Sequence, residues 1–200
     1  MDSTWTFRLR SDVRWHDGVP VTAHDIKFSM DLYTDAGGWG PGRARAIVRD
    51  DTTLTVIFGP GSAQEPALWQ NYVYVPKHLL EGLDPATIWR WDFWLEPVGN
   101  GPYRFVRRVP QTMFELEANP DFYLGRPRID RVIIKLASQS AAELLSGNVD
   151  AMSADPVLAK VLAKDPRFRV YTTGTEAVHW GSPGTRIGTS PSGTAGSVGR

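Results

Sequence analysis

Residues 119 to 132 read Asn119-Pro120-Asp121-Phe122-Tyr123-Leu124-Gly125-Arg126-Pro127-Arg128-Ile129-Asp130-Arg131-Val132, a turn-rich bridge between two strand-like runs. Asn119-Pro120 favours turn initiation, Gly125 permits a positive φ, and Pro127 forces the chain to leave in an extended conformation. Upstream, Phe114-Glu115-Leu116-Glu117-Ala118 alternates apolar and acidic residues, which predicts a strand with one face buried and its acidic face in water. Downstream, Arg131-Val132-Ile133-Ile134-Lys135-Leu136 predicts a second strand. Taken alone, the segment shows a connection between the two.

The rest of the chain supplies both helices and strands. Trp5, Phe7 and Leu9 alternate with Thr6, Arg8 and Arg10, predicting a half-buried strand, and with it Trp5 and Trp15 as core residues. Thr22 followed three residues later by Asp25 has the form of a capping box, opening a helix to about Thr34. In that helix Ile26, Met30 and Tyr33 fall on one side and Phe28 and Leu32 on another, so it should be covered twice. Residues 37–42, with four glycines and a proline, must be a loop and lack the Gly-Lys-Ser/Thr ending of a phosphate loop. Leu54, Val56 and Phe58 mark another strand. Pro76 and Pro85 should start short helices, the second capped by Asp84. Residues 103–108 and 112–118 predict a hairpin, 131–137 a strand, and 140–146 a helix that Gly147 terminates. A strand at 149–152, a helix from Pro156 capped by Asp155, and a strand at 168–173 complete a mixed α/β (α+β) pattern.

Composition removes several classes of function. Charge is balanced, with 22 basic and 22 acidic residues, which argues against nucleic acid or anionic membrane as the main partner. With no cysteine there is no structural disulfide, thiolate metal site or thiol nucleophile. No apolar run approaches the ~20 residues of a membrane span. His16-Asp17 and His24-Asp25 are read as structural, Asp17 making a turn and Asp25 completing a helix cap, because sequence neighbours point apart and no third ligand is visible. His78 and His179 have no partner identifiable from sequence. Arg43 and Arg45 are read as solvated. No Gly-x-Ser-x-Gly elbow is present, so neither an enzyme nor a cofactor is expected, and a hydrolase is the weakest reading.

Four segments together resemble a known family. Residues 15–26, Trp-His-Asp-Gly-Val-Pro-Val-Thr-Ala-His-Asp-Ile, contain Asp17, Gly18 and Asp25. Residues 97–103, Pro-Val-Gly-Asn-Gly-Pro-Tyr, contain Gly99, Gly101, Pro102 and Tyr103. The 119–132 bridge contains Asn119, Asp121 and Tyr123, and residues 144–150 contain Gly147 and Asp150. In this order they resemble the extracellular solute-binding proteins of the peptide and nickel type, the capture subunits of ABC importers, with Asn100 where that family usually has Thr.

The resemblance implies part of a type II periplasmic-binding-protein-like fold. Residues 1–97 would be part of a small accessory domain and residues 98–180 part of the large ligand-side domain. The Gly99-Asn100-Gly101 turn would switch the chain between them, with both glycines in conformations closed to other residues. It implies capture of a small solute (a peptide, a nickel complex or an oligosaccharide) by cleft closure and delivery to a membrane permease, outside the cytoplasm. The chain as written shows no export signal and is expected to be a truncated homologue. Residues 181–200, rich in Gly, Ser and Thr, lack the family's continuation and are expected to be disordered, as after a shifted reading frame near Gly181. Of the eight tryptophans, Trp39, Trp89, Trp91 and Trp94 are the candidates for ligand contact, the other reading being that they pack between domains. The alternative function is a carbohydrate-binding module that uses those exposed rings alone.

Overall fold

The computed structural model describes residues 3–35, 44–59, 73–136, 141–172 and 196–199. Trp39, Arg43 and His179 lie outside them. The chain divides into two compact units, residues 1–135 and 136–200, and the junction expected at residue 97 falls inside the first.

The first unit opens with β1 (Ser3–Arg8), α1 (Ala23–Asp35), β2 (Ala44–Asp50) and β3 (Thr53–Phe58). The strands form an antiparallel sheet in the order β1-β3-β2. The central strand β3 therefore pairs on both sides, and Leu54, Val56 and Phe58 are each at most 1% exposed. β2 has no counterpart in the sequence reading. Its signal was a two-residue turn, in which the Asp50 carboxylate accepts the Thr52 backbone N–H at 2.8 Å and reverses the chain into β3.

α1 is covered on two sides, as its pattern predicts. Ala23, Ile26 and Met30 pack on Ala46, Leu54, Val56 and Phe58. Leu32 and Tyr33 pack on Val75, Leu80, Ile88 and Trp91. Tyr33 thus belongs to the second face, where its hydroxyl donates to the Val73 carbonyl at 2.7 Å and burial raises its pKa. Trp5 departs from expectation: at 41% exposure on edge strand β1 it is not core, and Phe7 supplies that strand's packing.

After α2 (Lys77–Leu80) and two 3-10 turns, Pro85–Arg90 and Asp92–Leu95, a second antiparallel sheet begins. Its strands are β4 (Tyr103–Val109), β5 (Met113–Ala118) and β6 (Arg131–Lys135), in the order β4-β5-β6. The expected acidic face in water is corrected here. Glu115 is buried, 8% exposed, with Arg107 and Arg131 at 2.7 and 2.8 Å from its two oxygens. Glu115 sits on the middle strand, so long arginines from both flanking strands reach over it and displace water.

The second unit contains α3 (Ala141–Ser146), β7 (Ala151–Ala154), α4 (Pro156–Leu162), β8 (Arg169–Thr172) and β9 (Gly196–Gly199). Leu144, Ala154, Leu162 and Phe168 form its core. Gly147, at φ +82°, ends α3, and Asp155 caps α4 by accepting from the backbone N–H groups of Val157 and Leu158. The expectation of disorder across 181–200 is corrected for residues 196–199. There Gly-Ser-Val-Gly forms the strand between β7 and β8, because ladder hydrogen bonds need only backbone groups.

One buried polar contact ties α1 to the segment beyond β3. Asp25 accepts from the Thr22 backbone N–H at 2.8 Å with one oxygen and from the Lys77 backbone N–H at 2.9 Å with the other. One turn later the fully buried Ser29 hydroxyl accepts from the Val75 N–H at 2.9 Å and donates to the Asp25 carbonyl at 2.8 Å. Ser29→Ala strands a buried N–H and is expected to cost about 1–3 kcal/mol in urea unfolding. A loss below a few tenths would show that Val75 finds another acceptor.

Candidate functional site

The site grows from a turn at residues 15–19. Trp15, 2% exposed, anchors it, and its backbone N–H donates to the Val19 carbonyl at 2.8 Å. Gly18 adopts φ +90°, the left-handed region that glycine enters without steric cost, and Asp17 accepts the Val19 N–H at 3.2 Å. The turn thereby presents two neighbouring side chains to different partners.

Asp17 meets His78 of α2, Oδ2 to Nε2 at 2.7 Å, giving that histidine the partner the sequence did not reveal. His16 turns to the 99–101 segment. Its backbone N–H donates to the Gly99 carbonyl at 2.7 Å, the Gly99 N–H lies 3.2 Å from ring Nδ1, and Nε2 lies 3.0 Å from the Gly101 carbonyl oxygen. That same oxygen accepts the Asn119 side-chain amide at 3.1 Å, while the Asn119 backbone N–H donates to the Pro102 carbonyl at 2.8 Å. The Asn119 side-chain oxygen in turn accepts the Asp121 N–H at 3.0 Å. Three segments singled out separately in the sequence therefore form one hydrogen-bonded node.

Next to this node runs an open groove of about 530 Å³, bounded by His16 and Asp17, residues 96–98, and β4. β4 is an edge strand, with a register shift between Phe105 and Arg107 that leaves Val106 44% exposed. Of the groove's charges, Arg104 pairs with Glu117 at 2.6 Å and Arg107 with Glu115. Arg108 and Glu96 have no ion-pair partner among the described residues. The groove therefore offers one unpaired cation and one unpaired anion beside apolar Pro97, Val98 and Phe105. Among the described residues no cluster of three His, Asp or Glu is placed to hold a metal ion.

The other candidates lie elsewhere. Trp91 is 7% exposed, packed on Leu32, Leu80 and Ile88, with its indole N–H donating to Thr87, so it is a core residue and not a ligand contact. Trp94 is half-buried against the same cluster and stacks on Trp89, the exposed member at 60%. None of the three lines the groove. The periodicity was too short to separate core from surface rings here, because 3-10 turns rotate side chains by about a third of a circle per residue. Tyr123, under the guanidinium of Arg10 at 5.2 Å, Gly147 and Asp150 also lie outside the groove. His16 is structural, as its sequence context predicts, but its reach to Gly99 and Gly101 is a long-range contact with no local signal.

The expected role of the 99–101 glycines also needs correction. Neither Gly99 nor Gly101 has a positive φ. What distinguishes them is space: a Cβ on Gly99 would stand 3.2 Å from His16 Cε1, whereas one on Gly101 would meet nothing within 4 Å.

Comparison with known proteins adds identity to this geometry. A family model described as bacterial extracellular solute-binding proteins, family 5 Middle, matches residues 2–186. A protein of Brucella ovis named for ABC-transporter peptide binding is 30% identical over 187 residues, covering 88% of this chain and 35% of its own length. Among solved structures, NikZ from Campylobacter jejuni in complex with Ni(L-His) superposes with a TM-score of 0.70 at 29% identity, over 84% of this chain and 35% of that one. The ABC transporter substrate-binding protein CtaP of Listeria monocytogenes gives 0.71 at 27% identity, over 86% and 37%. The chain thus spans about a third of the length of the relatives it matches.

The two glycines give a direct test of the node. His16 is held from two sides and cannot retreat, so Gly99→Ala is expected to destabilise by about 1–2 kcal/mol. Gly101→Ala should stay within about 0.5 kcal/mol. Equal effects in thermal or urea unfolding would mean that the ring does not press on Gly99.

Proposed function

The chain belongs to the bacterial extracellular solute-binding proteins of family 5, and from that premise we propose that it supplies one wall of the ligand cleft of an ABC importer's capture subunit. In this reading residues 1–97 are part of the accessory domain and residues 98–180 part of the ligand-side domain. That the β1-β3-β2 sheet lies wholly before residue 97 and the β4-β5-β6 sheet wholly after it supports that division. The observation that carries the proposal is the convergence of three family-like segments on the carbonyl of Gly101, beside a groove and within the residues the family model matches.

The ligand is a small solute, a peptide or a nickel complex, and the whole protein closes two lobes around it before meeting its permease outside the cytoplasm. Peptide binding is named for the Brucella relative, and a nickel-histidine complex for the Campylobacter structure. In such a protein the work is recognition: an extended peptide is held through its backbone, with hydrated room for varied side chains. Closure from a hinge then removes the ligand from bulk water. Neither the family nor these relatives supports the alternative of a carbohydrate-binding module, and of the tryptophans on which it rested Trp91 and Trp94 pack on the core and Trp89 stacks on Trp94.

Two measurements test the reading. Residues 2–186 exchanged for the matching region of the Brucella relative should give a folded chimera that binds peptide within about tenfold of its parent, a cost below ~1.4 kcal/mol. The 200 residues alone offer one wall, so millimolar di- to pentapeptides should move their melting temperature by less than about 1 °C. A folded chimera without affinity, or micromolar binding by the isolated chain, would contradict the proposal.

A further inference from the structure

The His16 ring is engaged at both nitrogens by backbone groups of opposite kind. The Gly99 amide can only donate, so Nδ1, at 3.2 Å, must be the acceptor. The Gly101 carbonyl can only accept, so Nε2, at 3.0 Å, must carry the proton. These two partners leave one assignment: a neutral imidazole with its hydrogen on Nε2.

We propose that His16 is the positioning residue for the groove, a single-tautomer bracket between the 15–19 turn and the 99–102 segment that determines where β4 begins. Three features beyond the tautomer support this. The His16 main chain makes its own bond to the Gly99 carbonyl, so the bracket has three attachments to two residues. Gly99 has no side chain where the ring edge lies, so ring and backbone approach directly. The Gly101 carbonyl is shared with Asn119, whose backbone holds the Pro102 carbonyl, so the bracket continues to the end of β5.

Both ring nitrogens meet backbone groups, and among the described residues no charged side chain of the groove bonds to the ring. Asp17 is occupied by His78, Arg104 by Glu117 and Arg107 by Glu115. No other side chain reproduces both contacts of the imidazole. Asparagine places an acceptor near the Nδ1 position and glutamine a donor near the Nε2 position, so the two substitutions separate the halves of the bracket. The inference concerns the architecture of the groove and stands whether or not a peptide occupies it.

Long-range ¹H–¹⁵N spectra of the intact chain decide the tautomer. The expected pattern for His16 is an unprotonated Nδ1 and a protonated Nε2, with a cross-peak between the ring Hε1 and the Gly99 α protons. Amide exchange decides the positioning role. His16→Gln removes the acceptor and should speed exchange of the Gly99 amide about tenfold, as for loss of one hydrogen bond, while His16→Asn should restore much of that protection. An Nδ1-protonated or averaging ring, or unchanged Gly99 exchange in His16→Gln, overturns the proposal. If His16→Gln fails to fold, the wild-type spectrum and the His16→Asn exchange rate still decide it.

Discussion

The carbonyl oxygen of Gly101 receives two hydrogen bonds, from the His16 ring and from the Asn119 amide, and the first unit is organised around that convergence. A carbonyl has two lone pairs, and here both are taken by side chains from segments 85 residues upstream and 18 downstream. Each bond contributes only about 1 kcal/mol in net stability. Their value lies in direction, since together they leave the 99–102 segment one path between the two sheets. With that path set, β4 runs beside the turn at 15–19 and the groove follows.

A second polar anchor does similar work at the other side of α1. Asp25 and Ser29, both buried, bind the backbone at Val75 and Lys77, so the helix is held to the segment after β3 by directed contacts as well as by apolar packing. Apolar surfaces tolerate sliding; a buried N–H with a single available acceptor does not. The two anchors meet through Asp17 and His78, the latter one residue beyond Lys77. Turn, helix and 99–102 segment thus form one hydrogen-bonded frame along the groove's near wall. Its far wall is the edge strand β4, with a register shift at Val106.

This division of labour suits a wall of a binding cleft. Ligand capture by closure requires surfaces that keep their shape while whole lobes move, because a soft wall would absorb the binding energy in its own rearrangement. Two of the groove's cations are engaged within the sheet: Arg104 pairs with Glu117, and Arg107 with Glu115, which it shares with Arg131. What remains for a ligand is one cation, one anion, and exposed strand edge. That combination suits backbone-mediated recognition better than selection for a single side chain.

Local chemistry was legible in the sequence wherever it was decided within a few residues. Asp84 and Asp155 before proline gave helix starts, Gly147 a helix stop, alternation gave β1, β3, β4, β5 and β6, and four motif segments gave the family. Tertiary structure alone decided the partners. Periodicity cannot show that His16 reaches Gly99 across 83 residues, that His78 finds Asp17, or that Glu115 lies under two arginines, because those contacts depend on which strands become neighbours. The same limit explains the tryptophans: Trp5 alternates like a core residue yet sits on an edge strand, and Trp91 stands in a run of exposed-looking rings yet is buried. Sequence determined which segments turn and which extend, since backbone sterics act locally. Burial and pairing were set only when the strands found their neighbours and the first sheet packed on α1, since they belong to the assembled surfaces and not to any one segment.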